Sequence, residues 1–486
     1  MLTRIRLRTL LKALLLTGLV SPAITFSAEQ LDLETVLQRI NNTYPSLRIA
    51  AKQVEKSHQD VIAAESQLGW NMSVQGGLVH DLGSFNTVAD TLSIGLGFSK
   101  QLESGSSLSL STSVNNMDTV DLTIPDPPGD ALIADPTQAM DLDISYRMPL
   151  GKGGGYSPYQ FALANSEAGV LMARAAKVAT YDQIANQVVE LYFATAQLQF
   201  QRDSAKKAVK RAEEQLSFMQ KNKRLGLAED RELLLSSAQL RAARLELESA
   251  NRMWSKQRTS LNRLMGTSWD NEFVLRVKTP AIPSTDLQKL KADVEQYSPV
   301  LKQNIAQKMI AEAAIKKAQD DRRSQFDIIA SVGSKTRAGS YPSGDFNESG
   351  ETYALRFEYK LPMDSSGFDA RLYQARIDHD IAEDNIRQLK DDLRYNLSAL
   401  LAELNSSEKA VKYSQNRLKL EQQRYQEVKQ RYARGRADTS QMIMSEGELA
   451  FGEFSLQQQQ IELAKRATQL QVMRGTFWSS VTGHKE

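Results

Sequence analysis

The sequence predicts an α+β membrane protein that is internally duplicated, with long antiparallel coiled-coil helices and strands that belong to a barrel shared between copies. Three observations support this fold class. The same order of elements occurs twice, two helical stretches are too long for one globular core, and the strands alternate apolar and polar residues with charges in mid-strand.

The duplication is visible in matching strand ends and turns. The first strand end reads Tyr146-Arg-Met-Pro149-Leu150 and the second reads Tyr359-Lys-Leu-Pro362-Met363, so the two tyrosines are 213 residues apart. The turn glycines Gly226 and Gly435 are 209 residues apart. A repeat of this length decides the architecture before any short motif does. The predicted organisation is a signal peptide at 1–28 and two structural repeats at 29–282 and 283–486.

The first residues have the pattern of a secretory signal. Arg4, Arg6, Arg8 and Lys12 precede a short apolar run at 13–20, which is too short to span a bilayer as a helix. The chain contains no cysteine, which excludes disulfides and a thiol-linked lipid anchor. Removing the four basic residues of the signal from the formal charge of +2 leaves about −2 with interspersed signs. This balance argues against a nucleic-acid partner, which requires a basic stripe.

The helices are predicted from 3.6-residue periodicity in stretches without proline. The residues from 158 to 224 have only Gly169 as a potential breaker, and 368–434 have none. Each would extend roughly 100 Å at 1.5 Å per residue, so the helices must pack side by side along a rod or tube. Narrow apolar stripes favour coiled-coil packing. Shorter helices are predicted at 33–68, 230–264, 286–323 and 438–481.

Between the helices the period changes to two residues. Strong alternation occurs at 92–99, 140–148 and 353–361, within strand regions at about 70–150 and 325–363. A soluble sheet with one wet face is the alternative, but mid-strand charges and lengths of about 10 residues favour barrel strands with a watery lumen. One chain has too few strands to close a wide barrel, and open edges do not occur in lipid. The predicted lumen residues are Asp141, Asp143, Arg147, Arg356, Glu358 and Lys360.

Two proline-marked helix turns complete a recognisable order. Leu31-Asp-Leu-Glu-Thr-Val-Leu37 leads to Tyr44-Pro45, and Tyr297-Ser-Pro299 echoes that turn in the second half. With the strand exits and glycine turns, essentially the whole mature chain resembles the TolC-like outer-membrane efflux proteins.

The resemblance implies a homotrimer with a transmembrane β-barrel in the outer membrane and an α-barrel tunnel through the periplasm. Its partners would be a periplasmic adaptor and an inner-membrane pump or ATP-driven exporter, with export of small molecules or type I secretion of polypeptides both left open. The tip turns, at about 224–229 and 433–438, would dock the adaptor. Their predicted docking residues are Leu225, Gly226, Leu227, Gly435 and Arg436. The main alternative is a soluble periplasmic coiled-coil scaffold or adaptor protein.

Two departures from the family pattern lead to further predictions. Pro45 and Pro149 are 104 residues apart, whereas Pro299 and Pro362 are 63 apart, which predicts an additional hairpin and six strands per chain. At the gate, where family members often place two aspartates, the matching residues are Gln441 and Met444. We therefore expect an uncharged amide and thioether lining that binds cations weakly.

Arg231 and Glu232, after the first tip, are predicted to form a polar latch between neighbouring helices.

No catalytic, cofactor or metal site is predicted, and the chain is not expected to be an enzyme. Gly151-Lys-Gly-Gly-Gly155 lacks phosphate-loop spacing and is interpreted as a flexible exit from barrel to helix. Asp378-His379-Asp380 lies in a predicted helix where consecutive side chains diverge. The acidic stretch at 118–136 is interpreted as an extracellular loop.

Overall fold

The computed structural model describes residues 29–82, 87–121, 137–225, 229–278, 287–341, 344–475 and 477. The predicted signal peptide and most of the acidic loop therefore lie outside the described residues. The helices are α1 (Leu33–Thr43), α2 (Pro45–Glu65), α3 (Pro158–Arg224), α4 (Asp230–Met265), α5 (Leu287–Tyr297), α6 (Pro299–Asp321), α7 (Ser366–Ala433) and α8 (Thr439–Met473). The strands are β1 (Glu29–Leu31), β2 (Trp70–Leu82), β3 (Thr87–Gln101), β4 (Ser107–Asp121), β5 (Thr137–Pro149), β6 (Phe273–Leu275), β7 (Gln325–Tyr341) and β8 (Gly344–Lys360).

The long helices span 67 and 68 residues, close to the stretches that the sequence predicts. The shorter helices differ from prediction at their prolines. Pro45 and Pro299 each occupy the first helical turn of a new helix, so the predicted helices at 33–68 and 286–323 are each divided in two. Proline has no amide hydrogen to donate to the preceding turn, and it is tolerated where a helix begins.

α8 ends at Met473, where the sequence predicts a continuous helix. Gly475 adopts the left-handed conformation, with φ 67°, and its amide bonds to the carbonyl of Val472. Glycine is the residue that most readily ends a helix in this way. The predicted end at 480–483 lies outside the described residues.

Six strands form one antiparallel sheet in the order β2-β3-β4-β5-β7-β8, the number of strands that the sequence predicts. β1 and β6 form a separate two-stranded parallel sheet. No helix among the described residues has an apolar stretch long enough to cross a bilayer.

Two compact units contain the buried residues, and each draws segments from both predicted repeats, whose boundaries stay a prediction. The first unit comprises Met1–Thr43, Val188–Ala281 and Ser406–Ala467. Its small sheet is held by Tyr192, which is 1% exposed and donates a hydrogen bond to the carbonyl of Arg276 at 2.8 Å. The same unit contains the fully or almost fully buried side chains of Leu31, Leu37, Ile40, Leu261, Met265 and Phe273.

The second unit comprises Tyr44–Gln187, Ile282–Asn405 and Thr468–Glu486 and contains the six-stranded sheet. At the exit from β5, the glycine run is tightly held, which corrects the expectation of a flexible segment. The buried carboxylate of Asp320 accepts hydrogen bonds from the amides of Gly153, at 2.6 Å, and Tyr156, at 3.2 Å. A Cβ on Gly151 would lie 2.0 Å from the carbonyl oxygen of Ser324. Close backbone approach therefore explains the glycine.

Candidate functional site

One face of the six-stranded sheet is apolar and exposed. The register aligns one apolar side chain from every strand in a single row across the sheet. That row consists of Met72, Phe98, Leu110, Ile144, Val332 and Tyr353. Ile144 is 45% exposed and Tyr353 is 73% exposed. In a soluble protein the arrangement is the opposite, because the apolar face of the sheet packs against the hydrophobic core and is covered by it.

The opposite face is polar and includes all six predicted lumen residues. Arg147 lies opposite Ile329, which lies opposite Arg356, so β5 and β8 present these arginines on the same side. Asp143 lies opposite Gly333 on this side, and the period of two places the other members there. On β5, Asp141, Asp143 and Ser145 are half-buried, whereas their neighbours Leu142 and Ile144 are exposed.

An ion pair between a buried carboxylate and a half-exposed guanidinium connects β5 to β7 on the polar face. The carboxylate of Asp327 is fully buried and accepts from Nε of Arg147 at 2.9 Å. Nε2 of Gln325 donates to the same carboxylate oxygen at 2.7 Å. Removing one partner of such a pair leaves an uncompensated charge, so this contact fixes the register of the two strands.

The polar face has two chemically distinct sectors. The neutral sector, on β2, β3 and β4, has small uncharged side chains across residues 71–77, 93–99 and 107–115. The charged sector, on β5, β7 and β8, has five acidic and five basic side chains. Its members are Asp141, Asp143, Arg147, Asp327, Lys335, Arg337, Glu348, Arg356, Glu358 and Lys360.

β2 and β8 are the edge strands of this sheet. Within the described part of the chain, each is paired along one side only. Unpaired amides and carbonyls along strands of 13 and 17 residues are a template for pairing with another chain.

The first tip joins α3 to α4. Leu225 is 71% exposed, whereas the predicted docking residues Gly226 and Leu227 lie outside the described residues. Glu232 caps its own helix, because its carboxylate accepts from the amide of Glu229 at 3.4 Å. Its observed contact is thus within the turn, and Arg231 is exposed, so the latch between neighbouring helices stays a prediction.

The second tip joins α7 to α8. Gly435 has φ 68°, its amide bonds to the carbonyl of Tyr432, and the amide of Arg436 bonds to the carbonyl of Arg431. These are the two hydrogen bonds of a Schellman motif, which closes the end of a helix. Asp438 then begins the return helix by accepting from the amide of Gln441 at 2.7 Å.

The predicted gate residues lie on the exposed side of α8. Gln441 is exposed and Met444 is 60% exposed, whereas Met442 and Ser445, each the next residue along the chain, are buried. Both predicted side chains are therefore available to line a shared opening, and that role stays a prediction.

Contacts that sequence reasoning missed connect the two tips. Sδ of Met219 on α3 lies 3.8 Å from Oη of Tyr432 and 3.9 Å from Oγ1 of Thr439. Farther along α8, Glu446 pairs with Arg211, with 2.5 Å between its carboxylate and Nε. Burial raises the pKa of Glu446, and the charge of Arg211 opposes that effect. No sequence signal could have found these pairs, because they depend on how separate helices align.

Solved structures of channel proteins have the same fold. The outer-membrane channel OprN aligns with a TM-score of 0.63 at 14% identity, covering 92% of this chain and 90% of that chain. The CmeC outer membrane channel of Campylobacter jejuni gives 0.63 at 12% identity, covering 92% and 86%. The open state of the MtrE outer membrane channel of Neisseria gonorrhoeae gives 0.59 at 17% identity, covering 91% and 88%.

The chain has the fold of the TolC-like outer-membrane channels. The resemblance stated from the sequence is thus confirmed at the level of fold. No protein-family profile and no curated protein sequence matches the chain.

Outside the sheet and the tips, the described part of the chain includes one cluster of metal-ligating groups. His379, Asp380 and Glu383 on α7 offer ligand atoms that lie within 4.8 Å of one another. The sequence interpretation considered Asp378 instead of Glu383 and missed the i, i+4 spacing that places Glu383 beside His379. Nζ of Lys308 donates to the carboxylate of Glu383 at 2.8 Å, so Glu383 already has a cationic partner.

Proposed function

We propose that this chain is an outer-membrane channel-tunnel, in which three copies enclose one water-filled pathway. The six-stranded sheet would contribute to a transmembrane β-barrel, and the long helices to an α-barrel tunnel through the periplasm. The pathway would export small molecules or polypeptides, together with a periplasmic adaptor and an inner-membrane pump or ATP-driven exporter. The chain would perform no catalysis.

The observation that carries this proposal is the exposed apolar face that crosses all six strands. Exposing Met72, Ile144 and Tyr353 to water is unfavourable, at roughly 25 cal/mol for each Å² of apolar surface. Contact with lipid removes that cost. The polar face then lines water, as in barrels of which alternate residues face the lumen.

The edge strands support a barrel shared between copies. Six strands in one antiparallel sheet leave β2 and β8 running in opposite directions, so β8 of one copy can pair antiparallel with β2 of the next. Three copies would close a barrel of about 18 strands, a number that leaves an aqueous channel. The barrel would be wider than one built from four strands per chain.

A soluble periplasmic scaffold or adaptor is the competing function. Such a protein requires compact β domains with a covered apolar face, whereas here the sheet's apolar side chains are its exposed ones. The exposed row therefore favours the channel.

Disulfide trapping tests the shared barrel. Because the chain has no cysteine of its own, only the introduced cysteines can form disulfides. We would combine Val74→Cys on β2 with Tyr353→Cys, Leu355→Cys or Phe357→Cys on β8, one at a time, in outer-membrane preparations. Directly opposite residues have Cβ atoms about 4.5–5.5 Å apart, so one pairing should give covalent trimers under oxidation.

The matched control combines Val74→Cys with Ile144→Cys, since Ile144 lies in mid-sheet and should give no crosslink. The shared barrel would be wrong if no β2–β8 pair crosslinked, or if the control crosslinked equally well.

A further inference from the structure

The two tips have a concentrated excess of positive charge. Between residues 221–232 and 431–438 there are seven basic and four acidic side chains, a net formal charge of +3. The whole chain has +2. The basic members are Lys221, Lys223, Arg224, Arg231, Arg431, Arg434 and Arg436, and all of them are exposed.

Most of the nearby carboxylates already have partners. Asp230 pairs with Lys223. Glu232 accepts from the amide of Glu229, and Asp438 accepts from the amide of Gln441. The side chain of Glu229 forms a capping box with Glu232. Amide bonds do not remove the charge of a carboxylate, so the four carboxylates leave the net formal charge of +3 on the tips.

Helix stability explains only some of these cations. Basic residues in the last turn of a helix interact favourably with its dipole, which accounts for the four at the ends of α3 and α7. Arg231 lies in the first turn of α4, where the dipole disfavours a cation. Arg434 and Arg436 follow the last turn of α7, and none of these three arginines has an ion pair with a described residue. The fold does not require them.

The start of α8 after Asp438 is uncharged from residue 439 to residue 445. Gln441 and Met444 are exposed on the first turns of α8 and add no carboxylate to oppose the arginines. Met219, Tyr432 and Thr439 connect the two tips, so cations from both turns belong to one local surface. Guanidinium groups bind phosphate and carboxylate oxygens in a bidentate geometry.

We propose that Arg231, Arg434 and Arg436 make the tips an anion-selective entrance that binds small polyanionic solutes. The inference rests on the proposed function, because three copies would bring nine such arginines around one opening. Rings of Arg or Lys select anions in pores, and clefts of one sign raise the local concentration of the opposite ion. An acidic partner protein is the competing ligand.

Ion selectivity in planar lipid bilayers tests this entrance. At low ionic strength, where screening is weak, the reversal potential in a potassium chloride gradient should show a preference for chloride. Inorganic pyrophosphate, added from the side that exposes the tips, should block the current. The variant Arg231→Gln/Arg434→Gln/Arg436→Gln should lose the chloride preference, and its half-blocking pyrophosphate concentration should rise by about tenfold.

The matched control is Lys52→Gln/Lys56→Gln/Lys409→Gln, which removes the same charge from exposed positions on α2 and α7. It should keep both properties. A preference for cations in the parent protein, or equal block of parent and arginine variant, would overturn the proposal and favour an acidic protein as the ligand.

Calorimetry separates this proposal from the proposed function. If neither the parent nor its variants conducted current, the channel function would be wrong. Pyrophosphate binding to the detergent-purified chain would still show whether the arginines bind polyanions. Binding that the arginine variant loses supports the site, whereas equal binding by both proteins or no binding by either overturns it.

Discussion

The six-stranded sheet and the helix tips both have exposed faces, but the exposed chemistry differs. The sheet presents a row of apolar side chains that crosses every strand. The tips present cations, and Arg231, Arg434 and Arg436 have no described ion pair. The proposed function explains this difference by two surroundings, with lipid around the sheet and water with anions around the tips.

A charge placed on the apolar face of the sheet should lower the free energy of unfolding more than the other substitutions considered. Ile144→Arg puts a guanidinium in the exposed row of β5, and a lipid-facing arginine near the bilayer midplane costs about 2–4 kcal/mol. We expect that loss in the free energy of unfolding from lipid vesicles in urea.

The neighbouring residue provides the control. Ser145 lies on the polar face, where its Oγ is 2.6 Å from Oγ of Ser109. Ser145→Arg should cost about 1 kcal/mol, the value of one hydrogen bond, because water solvates the new charge. Equal losses for both variants would show that the two faces have the same surroundings.

The exit from the sheet should be the next most sensitive region. Asp320→Ala removes the acceptor of the Gly153 and Tyr156 amides, and each unsatisfied buried amide costs about 1–3 kcal/mol. Asp320→Asn retains an acceptor oxygen and should lose less. Thermal unfolding of both variants checks this order. Equal stability of Asp320→Ala and the parent would restore the interpretation of a flexible exit.

Glycine-to-alanine substitutions at and near the second tip should change the stability less. One should lower it and the other should raise it. Gly435→Ala forces a Cβ into the left-handed conformation at φ 68°, at a cost of about 1–2 kcal/mol. Gly447→Ala lies within α8 with open space around its Cβ, and should stabilise the helix by about 0.5–1 kcal/mol. In differential scanning calorimetry, the unfolding temperature should fall for Gly435→Ala and rise for Gly447→Ala, relative to the parent protein. A shift in the same direction would contradict the turn geometry.

Asp32, just before α1, belongs to neither surface, and its contribution to the free energy of unfolding should be the smallest of those considered. Hydrogen bonds from the side chain and amide of Thr35 lower the pKa of Asp32 to about 2, and Lys278 adds to that effect. A lowered carboxyl pKa stabilises the fold above the unfolded value of about 3.9, and this contribution disappears as the pH falls towards 2. Partial solvent exposure reduces the contribution to about 1 kcal/mol.

Urea unfolding of the parent and of Asp32→Asn at pH 5 and pH 2 measures this contribution. The difference between the two proteins should be present at pH 5 and shrink at pH 2. A difference that did not change with pH would show that Asp32 does not titrate in this range.

The sequence predicted the sheet well because a period of two assigns each side chain to a face without knowledge of the neighbouring strand. The same logic placed Arg147 and Arg356 on one face before their register was visible. Helix ends were less predictable. Pro45 and Pro299 could have been read as helix starts, and Gly475 as a helix end.

Other features depend on contacts that no local pattern encodes. β1 and β6 are three residues each, too short for any periodicity, and they are held in place by Tyr192 from α3. The pairs of Arg211 with Glu446 and of Met219 with Tyr432 require the alignment of distant helices. By contrast, the sequence could have predicted the capping role of Glu232, since a glutamate three positions after the N-cap residue is a known signal.

Single-channel recording of the purified protein in a planar lipid bilayer tests the central claim most directly. The account predicts stepwise current increases from detergent-solubilised trimers, and fewer such steps from Ile144→Arg at the same protein concentration. Protein that stayed monomeric in aqueous buffer without detergent, and never raised the conductance of the bilayer, would contradict it.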